Sequence, residues 1–186
     1  MAPEPLLRCP IMSGLVERHG PVRITPRPPF RSLVHAIVSQ QISGKAADSI
    51  LTRLRSQVPM TPAALAKADL RRLRRVGLSR AKATYVRELS RFASAGGLRG
   101  LARLDDAAIV ERLITVKGVG VWTAEMFLIF SLGRPDVWPV DDGGVQRAAR
   151  KLYGTRTPKA LARLGDRFRP HRSAAAWYFW RYLDEP

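Results

Sequence analysis

Apolar residues recur along the chain with the period of an α-helix. From Ser32 to Leu54 they fall at Leu33, Ile37 and Val38, and then at Ile42, Ala46, Ile50 and Leu54. This spacing predicts one or two helices over that stretch. Related patterns predict helices over residues 11–19, 62–67, 69–73, 80–95, 106–113, 121–132, 143–152, 158–167 and 173–183. We find no convincing alternation of the kind a strand requires, so we expect an all-α protein with short links.

Residues that favour helix termini divide these segments. Thr61 precedes Pro62, and a hydroxyl N-cap followed by proline at the first helical position is a helix start. Asp69 and Ser79 open further helices, and either Asp105 or Asp106 caps the next one. Glycine pairs and a loop at residues 133–142 that holds two prolines separate the later helices. The boundaries therefore agree with the apolar pattern.

The charge of the chain changes the picture from fold to function. Lys and Arg number 32 against 15 Asp and Glu, which gives a formal net charge of +17, and 26 of the 32 basic residues are Arg. Arg suits bidentate phosphate contacts, and such an excess is the electrostatic footprint of nucleic-acid binding. A codon bias explains Arg over Lys but not the shortage of carboxylates. An anionic membrane surface and an acidic protein partner are the alternatives.

The composition excludes several classes of protein. A single cysteine, Cys9, rules out an intramolecular disulfide framework, a Cys-ligated zinc site and an iron–sulfur cluster. The chain has no apolar run of the length that a transmembrane helix needs, and its first residues lack the pattern of a secretory signal. We expect a reducing, cytoplasmic location, associated with the nucleoid in a bacterium, and no membrane partner.

The most specific segment is the run from Leu113 to Ala124, which holds Gly118 and Gly120 between two predicted helices. The two glycines permit a tight hairpin that no larger residue could make, and the amides and dipole of the following helix form an anion site. A phosphodiester can approach closely because no Cβ blocks it, and such contacts read no base sequence. An ordinary turn between two helices is the plainer interpretation of Gly-x-Gly. The flanking apolar residues, the Thr-Ala that follows and the charge favour the anion site.

Four segments resemble those of a known family. They are Ile37-Val38-Ser39-Gln40-Gln41-Ile42-Ser43, Gly118-Val119-Gly120-Val121-Trp122-Thr123-Ala124, Pro139-Val140-Asp141-Asp142, and Arg172 followed by Trp180. In this order and spacing the chain resembles the helix-hairpin-helix (HhH-GPD) superfamily of DNA glycosylases, and within it the 3-methyladenine DNA glycosylase II group. The larger members carry an extra N-terminal α/β domain, which we expect this protein to lack.

The resemblance implies one all-α glycosylase domain over residues 1–186, with two lobes and an active-site cleft between them. The central lobe spans about residues 32–135 and includes the hairpin 114–124. The second lobe is formed by about residues 1–31 and 136–186.

The resemblance also implies an activity: excision of alkylated purines from double-stranded DNA in base excision repair, by a protein that we expect to be a monomer. A glycosylase extrudes its target nucleotide, and Gln41 lies where the family's wedge residue fills the gap. A polar helix end is the plainer interpretation of Gln40-Gln41.

Cleavage of an N-glycosidic bond builds positive charge on the sugar, which a fixed carboxylate stabilises. Asp141 and Asp142 are the candidates for this catalytic carboxylate. The family's catalytic Asp opens a helix in the pattern Asp-x-x-apolar, which Asp142-Gly143-Gly144-Val145 fits and the frame beginning at Asp141 does not. We therefore assign Asp142 and treat Asp141 as a supporting or capping residue. An N-cap role is the alternative for Asp142, and both roles can hold together.

Family members that also nick the strand have Lys where this chain has Trp122, and an indole forms no Schiff base. We therefore expect simple hydrolysis that leaves an abasic site. An aromatic base pocket attracts a cationic alkylated purine, and we expect Trp122 and Trp180 to line it. Met126 stands where the 3-methyladenine DNA glycosylase II group has an aromatic residue, so this chain departs from that group in its base pocket.

In addition to the wedge Gln41, the family resemblance places DNA contacts on the hairpin, at Lys117, Gly118, Gly120 and Thr123. It also implies a monovalent cation, Na⁺ or K⁺, on the backbone carbonyls of Ile114, Val116 and Val119. The chemistry itself requires no cofactor. Removal of uracil or deaminated purines on the same scaffold is a second hypothesis, and a non-catalytic DNA-binding module is a third. A carboxylate beside a phosphate-binding face argues against the third, because it repels DNA unless chemistry needs it.

Overall fold

The computed structural model describes residues 4–184, and the secondary structure of these residues is helical. In chain order the α-helices are α1 (Glu4–Leu7), α2 (Pro10–His19), α3 (Pro29–Ser39), α4 (Gly44–Gln57), α5 (Pro62–Lys67), α6 (Leu70–Arg75), α7 (Arg80–Ser94), α8 (Asp106–Ile114), α9 (Val121–Phe130), α10 (Gly143–Tyr153), α11 (Pro158–Asp166) and α12 (Arg172–Leu183). A 3₁₀ turn at Leu101–Arg103 lies between α7 and α8, and residues 4–184 include no β-strand. The all-α prediction is confirmed.

Polar side chains fix where most of these helices begin. Each accepts a hydrogen bond from an amide of the first turn, which stabilises a helix by about 1 kcal/mol. These N-cap residues are Ser43, Thr61, Asp69, Ser79, Asp105, Asp142 and Thr157. The predicted caps are among them, and Asp105 rather than Asp106 caps α8.

The stretch from Ser32 to Leu54 forms two helices and not one. The first begins earlier than its apolar pattern, at Pro29, because proline is favoured at the first helical position. It ends at Ser39, and residues 40–43 turn the chain into α4. The apolar period continues across this break, so it could not by itself reveal the turn.

Contacts divide the chain into two compact units. The central unit comprises residues 26–132. Its helix α3 is buried at Phe30, Leu33, Val34, Ile37 and Val38, and it contacts α4, α7 and α9. Helix α9 is apolar on nearly every face because it is buried along most of its length.

The terminal unit is formed by residues 4–25 and 133–184 among those described. Its core holds an aromatic cluster of Trp138, Tyr153, Phe168 and Phe179, whose ring centroids lie 5.5 to 6.2 Å apart. The indole of Trp138 donates to the carbonyl of Leu161 at 3.0 Å. This core supports the loop that precedes α10 and the helix α12.

None of the helices among residues 4–184 has the length and apolar character that a bilayer crossing requires.

Candidate active site

Asp142 stands at the N-terminus of α10 and is only 8% exposed. Its Oδ1 atom accepts a hydrogen bond of 2.7 Å from the amide of Val145, so it caps the helix as the Asp-x-x-apolar pattern requires. The positive end of the helix dipole lies beside the carboxylate. The N-cap role is therefore observed, and it fixes where the predicted catalytic group sits.

Trp180 provides a second anchor for the same carboxylate. Its indole Nε1 donates to Asp142 Oδ1 at 2.8 Å, across 38 residues of sequence. The sequence predicted Trp180 as a wall of the base pocket; the structure also makes it a direct partner of Asp142. Two donors on one oxygen hold the carboxyl group in a single orientation.

Arg172 secures the loop that leads to Asp142. Its guanidinium donates to both carboxylate oxygens of Asp136, at 2.7 and 3.0 Å, and to the Asp136 carbonyl at 2.7 Å. Burial opposes the charge of Asp136, but these hydrogen bonds and the positive charge lower its pKa. Ser173 adds a hydrogen bond of 3.0 Å from the amide of Val137. The spacing of Arg172 and Trp180 thus has a structural reason: α12 holds the loop with one residue and the carboxylate with the other.

Gly144 is a residue of this site that the sequence analysis did not identify. A Cβ atom at this position would lie 2.9 Å from Asp142 Oδ1 and 2.9 Å from Trp180 Cδ1. Only glycine lets the indole approach the carboxylate over the first turn of α10. A glycine pair inside a helix lowers its stability. The presence of such a pair at the start of a predicted helix was the signal in the sequence that another group packs closely there.

We expect Gly144→Ala to lower the free energy of unfolding by about 1–3 kcal/mol, because the methyl group forces Asp142 and Trp180 apart. The adjacent Gly143 is the matched control, since its Cβ would meet only the flexible end of Arg147. We expect Gly143→Ala to be neutral or stabilising by up to about 1 kcal/mol. Urea unfolding of the two variants measures the difference. Equal stabilities would mean that the indole does not pack against the carboxylate as described.

Asp141 differs from Asp142 in its exposure and in its position relative to α10. It is exposed, and it precedes the helix rather than capping it. The preference for Asp142 over Asp141 therefore agrees with the local geometry.

In the central unit, the predicted hairpin connects α8 to α9. Gly118 has a φ of +89°, and a Cβ there would overlap the ring of Tyr85. We expected the geometry of the hairpin to require both glycines, and for Gly120 this is wrong. Gly120 has an extended φ of −99°, and a Cβ there would meet open space. Gly120 leaves room outside the hairpin, whereas Gly118 is needed inside it.

The start of α9 suits an anion. Gly120 is its N-cap residue and provides no side-chain acceptor for the amides of the first turn. Most of the other helices have such an acceptor, as described above. Lys117, just before the hairpin glycine, is exposed.

Thr123 is only 1% exposed, and its Oγ1 accepts a hydrogen bond from Gln40 Nε2 at 3.0 Å. Its side chain therefore serves the interior of the central unit. The buried side chain leaves only the main chain of Thr123 for the predicted DNA contact.

The two aromatic-pocket candidates on α9 lie one turn apart. Trp122 is half-buried in the first turn, and Met126 is buried with 7% exposure. Both belong to the central unit, whereas Trp180 and Asp142 belong to the terminal unit.

Gln41 has an unusual backbone. Its φ of +57° makes it the one non-glycine residue with a positive φ among residues 4–184, and it is exposed. Backbone of this kind persists only where the surroundings hold it, and it is frequent at functional sites. The predicted wedge therefore projects from a constrained turn and not from a flexible loop.

Comparison with known proteins gives the family of the chain. Residues 34–170 match the HhH-GPD superfamily of base excision DNA repair proteins. DNA-3-methyladenine glycosylase 1 of Schizosaccharomyces pombe is 34% identical over 181 residues, which are 90% of this chain and 78% of that protein. The alkylbase DNA glycosidase-like protein mag2 of the same organism is 30% identical over 183 residues, 91% of this chain and 86% of that protein.

Solved structures agree with these sequence matches. The Schizosaccharomyces pombe 3-methyladenine DNA glycosylase Mag1, in complex with abasic DNA, superimposes with a TM-score of 0.87 at 31% identity. The match covers 95% of this chain and 93% of that one.

Proposed function

Because the chain belongs to the HhH-GPD superfamily of base excision DNA repair proteins, we propose that it is a DNA glycosylase that removes alkylated purines from DNA. Its relative in Schizosaccharomyces pombe is named for 3-methyladenine, and the structure of that enzyme holds abasic DNA, the product of base removal. The observation that carries the proposal is the carboxylate of Asp142, nearly buried and held by Val145 and Trp180.

The reaction is hydrolysis of the bond between C1′ of the sugar and the nitrogen of the base. As this bond breaks, its electron pair leaves with the base, and positive charge develops on the sugar. The Asp142 carboxylate stabilises that charge and accepts a proton from the water that attacks C1′. An alkylated purine is cationic and departs as a neutral base, so no general acid is needed. Fixing the carboxylate in advance avoids reorganisation during the reaction.

We propose that the product is an intact abasic site. Strand cleavage by a lyase route needs an amine that forms a Schiff base with the sugar, and Trp122 occupies the position where such enzymes have Lys. Lys117 is five residues before it on the hairpin and serves as a phosphate contact in this proposal.

The hairpin grips the strand through its backbone. A phosphodiester docks at the start of α9, where the uncapped amides and the dipole favour an anion and Gly120 leaves space. The contact reads no base sequence, which suits an enzyme that searches the genome for rare lesions. Double-stranded DNA is the proposed partner, bound by a monomer, and the protein works on DNA in the cytoplasm.

A monovalent cation fits the same hairpin. Among the described residues, the carbonyls of Ile114 and Val119 accept no hydrogen bond, and that of Val116 accepts one, from the Val119 amide at 2.9 Å, and keeps a second lone pair. These three carbonyl oxygens would hold Na⁺ or K⁺, which would supply positive charge near a DNA phosphate. The described residues contain no cluster of His, Cys, Asp and Glu that could hold a metal through side chains.

A panel of duplexes, each with one lesion, tests the substrate. We expect abasic sites at the positions of N-methylated purines, and release of uracil or hypoxanthine slower by about tenfold or more, because only the cationic base combines a good leaving group with attraction to an indole. Treatment with borohydride during the reaction should trap no covalent protein–DNA adduct. Faster release of uracil would contradict the alkylpurine assignment, and a trapped adduct would contradict simple hydrolysis.

A further inference from the structure

The turn that carries Gln41 lies at the C-terminal end of α3, where the Ile42 amide donates to the Ser39 carbonyl at 3.4 Å and Ser39 Oγ donates to the His35 carbonyl at 2.8 Å. Helix α3 has no basic residue in its last turn, and its C-cap residue is Gln40. The last carbonyls of a helix have no partner within it, and here the next residue, Gln41, adopts a positive φ. The carbonyls of Val38 and Gln40 take their hydrogen-bond donor from another helix.

Lys82 of α7 supplies that support. Its Nζ donates to the carbonyl of Val38 at 2.8 Å and to the carbonyl of Gln40 at 2.5 Å. A cation at the C-terminal end of a helix is favoured by the helix dipole. Desolvation lowers the pKa of Lys82. The start of α7 is itself fixed, because Ser79 accepts a hydrogen bond from the Lys82 amide at 3.2 Å.

Gln40 then joins this turn to the hairpin. Its Nε2 donates to the carbonyl of Gly118 and to Thr123 Oγ1, each at 3.0 Å. The residue directly before Gln41 is therefore bonded on its main chain to Lys82 and on its side chain to the hairpin turn at Gly118 and to Thr123 of α9. Along α7, Tyr85 lies one turn after Lys82 and packs over Gly118. One face of α7 thus supports both the turn and the hairpin.

We propose that Lys82, acting through Gln40, is a positioning residue that holds Gln41 at a fixed place relative to the hairpin while Gln41 enters the base stack. This inference rests on the proposed function, since it takes Gln41 as the wedge and the hairpin as the grip. If the turn could move, Gln41 would be pushed out of the base stack. With the turn held in place, the free energy of DNA binding at the hairpin can be used to unstack the base. In this proposal Lys82 contacts neither the sugar nor the base, because its ammonium group is directed to the carbonyls of Val38 and Gln40.

The test compares Lys82→Met with Lys159→Met. Methionine keeps an aliphatic side chain but removes the ammonium group, and Lys159 is an exposed residue of α11 whose replacement removes the same charge. Single-turnover release is measured from N7-methylguanine in a duplex, and from the same lesion opposite an abasic site, where the base is already unpaired and costs less to extrude. We expect Lys82→Met to slow release from the intact duplex by about tenfold or more and release from the second substrate by less than about threefold.

Lys159→Met should match the unmodified protein on both substrates. Equal losses on both substrates for Lys82→Met, or no loss on either, would overturn the proposal. Fluorescence of 2-aminopurine beside the lesion reports unstacking without chemistry, and Lys82→Met should reduce its increase on binding. If the unmodified protein unstacks the duplex but releases no base, the proposed function fails while this readout still decides the role of Lys82.

A double-mutant cycle with Gln41→Ala gives an independent decision. If Lys82 acts through the wedge, Lys82→Met should add little to the loss caused by Gln41→Ala. Additive losses would show that Lys82 acts elsewhere. Should Lys82→Met fail to fold, Gln40→Leu carries the same comparison, because it removes the donations to Gly118 and Thr123 and leaves Lys82 in place.

Discussion

Asp142→Asn should reduce base release by about 10³-fold or more, while the protein stays folded and binds DNA. The variant removes the negative charge of residue 142 but keeps its hydrogen bonds. An asparagine oxygen can still accept the hydrogen bonds from the Val145 amide and the Trp180 indole that Asp142 Oδ1 accepts now. It carries no charge to stabilise a cationic sugar and is a poor proton acceptor for water. Single-turnover assays with alkylated duplexes measure the rate, and thermal unfolding checks the fold.

Asp141→Asn is the matched control, since it makes the same chemical change at the exposed neighbour. We expect it to lose less than about threefold in rate. A large loss for Asp141→Asn with activity retained in Asp142→Asn would reverse the assignment of the two carboxylates. Retention of activity in both variants would contradict the mechanism as a whole.

The features that sequence predicted well are those decided within a few residues. An N-cap such as Ser79 or Asp142 accepts a hydrogen bond from an amide three positions later. The local sequence pattern is therefore enough to predict the contact. The apolar period likewise located α7 and α10 to within a residue or two. Local rules of this kind explain why the order of helices could be anticipated.

The features that sequence did not reveal depend on residues far apart in the chain. Trp180 meets Asp142 across 38 residues, Lys82 meets Gln40 across 42, and Gln40 meets Gly118 across 78. Lys82 resembles any basic residue on a helix until its distant carbonyl partners are known. The family resemblance singled out Gln41, but nothing in the sequence revealed that Gln40 donates to the hairpin or that Gln41 adopts a positive φ.

The two hairpin glycines show the same division between local and distant information. Their spacing drew attention to the segment, but the spacing could not distinguish a glycine required by its backbone from one required by a ligand. Gly118 is of the first kind because of its φ and because of Tyr85, which comes from another helix. Gly120 has an ordinary backbone and open surroundings. Substitution by alanine should therefore lower the stability of the protein at Gly118 and its affinity for DNA at Gly120.

Gly118→Ala should destabilise the protein by about 2–4 kcal/mol, because alanine resists a positive φ and its methyl group displaces Tyr85. For a chain of this length we expect the melting temperature to fall by about 10 °C. Gly133→Ala is the control, since Gly133 also has a positive φ, +64°, but its Cβ would meet open space. Gly133→Ala should lose only the part of the unfolding free energy that comes from backbone strain. Equal losses for the two variants would mean that Tyr85 yields freely.

Gly120→Ala should leave the melting temperature within about 2 °C of the unmodified protein, because its φ of −99° accommodates alanine. Its methyl group instead projects to the outside of the hairpin, where the phosphodiester is proposed to approach the amides of α9. We expect affinity for duplex DNA to fall about tenfold, equally for damaged and undamaged sequences. Fluorescence anisotropy at several salt concentrations measures this loss. Unchanged affinity in a folded Gly120→Ala protein would mean that the strand is gripped elsewhere, and that the anion site at the start of α9 has no part in binding DNA.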